Sequence, residues 1–162
     1  MRRVIHGYMG FAIGFLFVGS NYYLLPLILL FGWLGGWLPD FDLKYRHRKA
    51  LHNIFSLITF TSIFYALSYI AHRELGLLPD NSSLHISYAF ATAYLLHLLF
   101  DALTVRGIYP LYPLSNYRFR IARLKSDGVF INLLGFMISS AIIVYWVMEY
   151  MKPIFYLKIL NT

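Results

Sequence analysis

Five long apolar runs leave this chain few ways to fold: Val4 to Gly19, Tyr22 to Leu38, Ala50 to His72, Leu84 to Leu103 and Gly128 to Met151. A membrane-spanning helix needs about 20 predominantly apolar residues, with roughly 17 to 25 tolerated. Lipid offers no partner to backbone N–H and C=O groups, so runs of this kind must satisfy themselves as helices. Residues outside the runs are too few to coat a soluble core. The chain is 59% apolar and 13% charged, whereas an ordinary soluble domain is about 25% charged. The expected fold is therefore all-α, a polytopic membrane helix bundle of about five transmembrane helices forming one integral-membrane domain over residues 1–162. Arg2 and Arg3 ahead of the first run resemble the start of a secretory signal. However, Asn21-Tyr22-Tyr23-Leu24-Leu25 is too bulky for a cleavage site, and the run is expected to be kept.

Charge sets the expected orientation. Eleven of the Lys and Arg residues lie before the first run, between the second and third, or between the fourth and fifth, and three lie on the other side. Basic excess marks cytoplasmic loops, which puts the amino terminus inside and the carboxyl terminus outside. The net charge of +7 sits in short segments beside apolar runs. Lipid headgroups are a nearer partner there than nucleic acid, and no nucleic-acid partner is expected. Glycines at Gly10 and Gly14, and at Gly32, Gly35 and Gly36, suit close packing of the first two helices. Glycine is also simply common in membrane helices. The 104–127 segment carries Pro110, Pro113, Tyr109, Tyr112 and Tyr117 and is expected to lie along the interface. Oligomeric state is not legible.

Folded onto that topology, the His and Asp residues sort by face. His6, Asp40, Asp42, His47, His52, His97 and Asp101 fall at the cytoplasmic side, while His72, Glu74, Asp80 and His85 fall opposite and read as loop residues. With no cysteine in the chain, a metal would have to be held by His, Asp or Glu. His97 and Asp101 are spaced i, i+4, which places their Cβ atoms about 5–6 Å apart on one helical face. Ionisable groups within a membrane segment are costly and normally pair or face a bundle interior. A divalent cation would offset that cost for Asp101 and use the neutral imidazole of His97. Asp40-Phe41-Asp42 could present two carboxylates from one turn. Each residue alone also has a plainer reading: Asp40 as a cap after Leu38, a histidine as a helix-dipole partner, Asp42 as an ion-pair partner of Arg46, Arg48 or Arg106.

The blocks Leu38-Pro39-Asp40-Phe41-Asp42, His47-Arg48 with His52, and His97-Leu98-Leu99-Phe100-Asp101-Ala102-Leu103-Thr104, followed by Gly107 and Tyr112-Pro113-Leu114-Ser115, resemble the YdjM-type family of inner-membrane proteins, read as metal-dependent hydrolases. That family is distantly similar to zinc-dependent phospholipase C and P1-type nucleases. The resemblance runs from His6 to Ser115. It implies metal-ligand roles for His6, Asp40, His52, His97 and Asp101, with Asp42 and His47 as further candidates. Two departures stand out. Leu51 occupies a place where the family has a small hydroxyl residue before the second His of its HRxxTH block. The late His and Glu ligands of the soluble enzymes have only Asp127 and Glu149 as counterparts, so one or two ions are expected rather than three.

The resulting expectation is an integral inner-membrane hydrolase of a phosphoester, in a lipid or isoprenoid phosphate. The cofactor would be zinc, with Mn or Mg as alternatives. Asp40, able to bridge two ions, and Arg48 are the expected catalytic residues, and Arg48, Arg118 and Arg120 would hold the substrate phosphate. Membrane lipid is then both environment and substrate source. The rival expectation is a non-enzymatic metal-binding transporter, channel or scaffold. Transporters usually place ligands at the midplane of repeated halves, and this chain shows no halves.

Overall fold

The computed structural model describes residues 1–19, 22–44 and 49–160. Among them run five α-helices: α1 Arg3–Gly14, α2 Leu25–Trp37, α3 Ile54–Arg73, α4 Ser82–Ala102 and α5 Val129–Leu160. Short 3-10 turns at Phe15–Phe17, Tyr22–Leu24 and Leu38–Lys44 lengthen the first two. No strand forms among the described residues, where β pairing is confined to isolated bridges joining Thr104 to Leu124 and Ile108 to Phe119.

Four stretches are long and apolar enough to cross a membrane: Tyr22–Phe41, Ile54–Arg73, Ser82–Ala102 and Val129–Tyr150. The expected first span is the exception, because its helical part is only Arg3–Phe17. At ~1.5 Å per residue it is about 22 Å long, against about 30 Å of hydrocarbon. Gly19 adopts φ +59, a turn conformation, so the last residues of that apolar run belong to the link with α2. The third helix also starts later than Ala50. Asn53 caps it, accepting from Ser56 N at 2.8 Å, which leaves His52 in the preceding loop. The fifth helix continues past Met151 to Leu160.

The helices alternate in direction. One end of the bundle gathers the start of α1, the end of α2, the starts of α3 and α5, and the end of α4; Arg2 N bonds to Asn132 Oδ1 at 2.9 Å across the first and last of these. α4 is the central element, with half of its spanning window buried against 6% for α3. Exposed Ile58, Ile63 and Leu67 on α3 and Phe130, Leu133 and Met137 on α5 form the apolar surface that lipid would cover. The 104–127 segment folds back on the end of α4 through Ile121 N to Ala102 O at 2.8 Å and Leu124 N to Leu103 O at 3.1 Å. It also ties down the start of α3, since Ile54 N donates to Pro110 O at 3.0 Å.

Backbone contact, with no side chain between, joins α1 to α2. A Cβ on Gly10 would lie 2.2 Å from Gly32 O, and one on Gly36 would lie 2.2 Å from His6 O. Gly35 faces α4 instead, 2.3 Å from Phe90 O by the same measure. Association in lipid relies on close packing because the surroundings are as apolar as the interface. Gly36→Ala must therefore push α1 and α2 apart at the level of His6. We expect a loss of about 1–3 kcal/mol of stability from overpacking, read as a lower thermal midpoint with a lower bound-metal content. Leu30→Ala, at an exposed α2 position, should change neither; an unaltered Gly36→Ala protein would refute the close approach.

Candidate metal centre

Four side chains from three parts of the chain meet at the end of the bundle just described. Asp40 comes from the 3-10 turn after α2, His52 from the loop capped by Asn53, and His97 and Asp101 from successive turns of α4. Each offers one nitrogen or oxygen, all within 4.8 Å of one another. All four residues are buried, none more than 1% exposed. His52 Nε2 lies 3.3 Å from Asp101 Oδ2 and 3.3 Å from His97 Nε2. His97 Nε2 lies 3.7 Å from Asp101 Oδ2, and both histidine Nε2 atoms lie 3.8 Å from Asp40 Oδ1.

His52, His97 and Asp101 stand close to the separations that a common cation sets, and Asp40, at 3.8 Å from both histidines, stands slightly wider. Zinc bonds nitrogen and oxygen at about 2.0–2.2 Å, so ligand atoms at the corners of a tetrahedron stand about 3.3–3.6 Å apart. The protonation pattern agrees. His97 Nδ1 lies 2.7 Å from Gly36 O, and a carbonyl only accepts, so Nδ1 carries the proton and the neutral ring turns its Nε2 lone pair toward the two carboxylates. A metal-bound histidine is typically oriented by such a bond from its other nitrogen. Two carboxylates and two neutral imidazoles would balance a divalent ion while satisfying groups that are expensive to bury.

The surroundings fix each member. Arg3 Nη2 donates to Asp40 O at 2.8 Å while its guanidinium stands 6.0 Å from the Trp37 ring centre. Tyr94 hydroxyl donates to Leu51 O, and Asn53 Nδ2 donates to Lys49 O and Ala50 O at 2.8 and 2.7 Å, so the loop presenting His52 is held from both sides. Thr104 Oγ1 donates to Asp101 O at 2.8 Å. Residue 51 contributes its backbone carbonyl to that network, a contact that does not need a side-chain hydroxyl.

The other expected site residues are placed as follows. His6 stands outside the group of four: its Nε2 lies 3.2 Å from Asp101 Oδ1 and its ring stacks on His97 with centroids 3.8 Å apart. Met1 N lies 3.1 Å from the same Oδ1. Asp101 thus turns one oxygen to His52 and His97 and the other to His6 and Met1. The Asp42 side chain, His47 and Arg48 lie outside the described residues. Arg120 Nη1 donates to Val105 O at 3.3 Å and Arg118 is exposed, and no polar contact links either to the cluster among the described residues. His72 and His85 are at the opposite end, with Nδ1 atoms donating to Leu78 O at 2.7 Å and Phe17 O at 2.6 Å. Sequence reasoning missed Gly36 O, Tyr94 and Asn53. Of these, only Asn53-Ile54-Phe55-Ser56 carried a local signal, as an N-cap ahead of an apolar run.

The model of the YdjM inner membrane protein family matches residues 1–160. No curated protein and no solved structure matches the chain.

Proposed function

Because the chain belongs to the YdjM inner membrane protein family, we propose that it is a metal-dependent hydrolase working at the membrane surface on a phosphoester, in a lipid or isoprenoid phosphate. The observation that carries this reading is the buried Asp40, His52, His97 and Asp101 group, with the His97 proton fixed on Nδ1 by Gly36 O. The resemblance to zinc-dependent phospholipase C and P1-type nucleases supplies the reaction class.

In this scheme the four residues hold a divalent ion, zinc by ligand type, with Mn or Mg as alternatives. An ion there would supply positive charge for phosphate oxygens and a water with its pKa lowered to about 7. The chain's own residues do the positioning. His97 keeps its lone pair on the cluster through Gly36, Asp101 is anchored through Oδ1 by His6, and Arg3 holds the backbone of Asp40. Asp40 takes the proton of the attacking water, whose oxygen bonds to phosphorus as the bond to the ester oxygen breaks, and that proton passes on to the leaving oxygen. Arg48 is assigned a non-bridging phosphate oxygen, with Arg118 and Arg120 on the rim. Elemental analysis of purified protein, followed by a panel of phosphorylated lipids and soluble phosphodiesters, tests the reading. Bound metal with turnover of a lipid phosphate supports it; bound metal without hydrolysis of any phosphoester favours a metal-binding transporter, channel or scaffold.

The proposed orientation places this site in the cytoplasmic leaflet, with the amino terminus inside and the carboxyl terminus outside, on the eleven-to-three split of basic residues. An impermeant thiol reagent added from outside should label a cysteine placed at Asp80 and miss one at Lys44 or Arg120. The reverse pattern would overturn the orientation.

A further inference from the structure

At the end of the bundle away from the metal centre, a pocket of about 380 Å³ opens between the last turns of α3 and the start of α4. Its α3 wall is one stripe of residues at helical spacing, Tyr65, Tyr69, His72 and Arg73; its α4 wall is Asn81, Ser83 and Leu84. The volume lies toward the small end of ligand sites, about 300–1,000 Å³. We infer that this pocket binds the headgroup of a zwitterionic phospholipid, a phosphodiester carrying a primary amine.

Three observations point to the phosphate. Arg73, the last residue of α3, is exposed and has no ion-pair partner among the described residues. Asn81 precedes α4 with φ +62 and makes no side-chain capping bond, leaving the positive end of that helix open toward the pocket. Ser83 is 6% exposed and lines the pocket, yet its hydroxyl has no hydrogen-bond partner among the described residues. That hydroxyl is open to the pocket, where it would donate to a phosphate oxygen.

The amine follows from the remaining charge. Asp80 also lines the pocket, with its carboxylate 91% exposed and 3.4 Å from His72 Nε2. Glu74 follows Arg73 directly. A plain anion would meet the Asp80 carboxylate, whereas a headgroup bearing both charges sets its phosphate on Arg73 and Ser83 and its ammonium on Asp80. His72 is already oriented for that, since its Nδ1 proton is committed to Leu78 O at 2.7 Å. The rings of Tyr65 and Tyr69, 6.1 Å apart, suit the headgroup level, where tyrosines gather and can face a cation. Exposed Leu84 and Tyr88 continue the α4 wall toward the bilayer interior for the acyl chains.

The site shares no residue with the metal centre, so it stands or falls apart from the hydrolase reading. The test is native mass spectrometry of purified protein offered equal amounts of phosphatidylethanolamine, phosphatidylglycerol and phosphatidylcholine. One phosphatidylethanolamine should be retained about tenfold better than the others, and Arg73→Gln and Asp80→Asn should each remove that preference. Bound metal should stay unchanged, and thermal midpoints should hold because both side chains are exposed. Retention of phosphatidylglycerol equal to that of phosphatidylethanolamine, or retention indifferent to both substitutions, would overturn the inference. Stripping of the lipid by millimolar inorganic phosphate would overturn it too, by identifying free phosphate as the ligand; resistance to phosphate supports the lipid.

Discussion

Replacing Asp101 with Asn should abolish both metal retention and hydrolysis. The carboxylate stands at the centre of the cluster, with Oδ2 at 3.3 Å from His52 and 3.7 Å from His97 and Oδ1 at 3.2 Å from His6. An amide of the same shape lacks the charge that balances a divalent ion, and its NH₂ would turn two donors into a group of atoms arranged to accept or to ligate. His97→Ala removes a ligand directly and should behave alike. Loss of a ligand removes the ion's charge stabilisation together with the acidified water, so turnover should fall by about three orders of magnitude or more. His85→Ala provides the control: it loses only a bond to Phe17 O at the far end of the bundle and should turn over at the parent rate. Since Asp101 also holds Met1 and His6, thermal unfolding must be followed alongside. A folded Asp101→Asn protein that has lost its metal but keeps full activity would end the hydrolase reading.

Removing the metal should cost stability on a comparable scale. Two buried carboxylates face one another across the cluster within 4.8 Å, and a ligand bound only by the folded state stabilises it in proportion to its concentration over Kd. At a thousandfold excess over Kd the contribution is about 4 kcal/mol, which for a chain of this length corresponds to roughly 8–16 °C in thermal midpoint. Dialysis against a chelator should lower the midpoint by that order, and zinc should restore it at lower concentration than magnesium, because imidazole is a poor ligand for magnesium. The His97→Ala protein should be indifferent to both treatments. A parent protein whose midpoint ignores chelator and zinc alike would show that the four residues hold no ion.

Some of this was legible along the chain. Apolar runs of spanning length can only be helices in lipid, and the alternation of those helices follows from their number and short connections. The i, i+4 spacing of His97 and Asp101 put both on one face of α4 before any packing was known. The glycines of α1 and α2 signalled a close approach, which Gly10 against Gly32 and Gly36 against His6 realise. The family resemblance, carried by the blocks around Asp40, His52 and His97, holds for the chain as a whole.

Tertiary structure decided what depends on atoms far apart in sequence. Hydropathy counts Val18 and Gly19 as apolar whether or not they are helical, so the short reach of α1 emerged only from the turn at Gly19. Side-chain type made His6 and Asp101 equal candidates as ligands; packing put His6 behind Asp101, stacked on His97, while Asp40 and His52 faced the donors of α4. The proton on His97 depends on the carbonyl of Gly36, 61 residues away, and a backbone carbonyl leaves no mark in a sequence pattern. The pocket between Arg73 and Ser83 likewise exists only because α3 and α4 meet there. Periodicity fixes what a helix buries, since it is a property of neighbours along the chain; which atoms converge on one point is a property of how helices pack, and there only the folded chain decides.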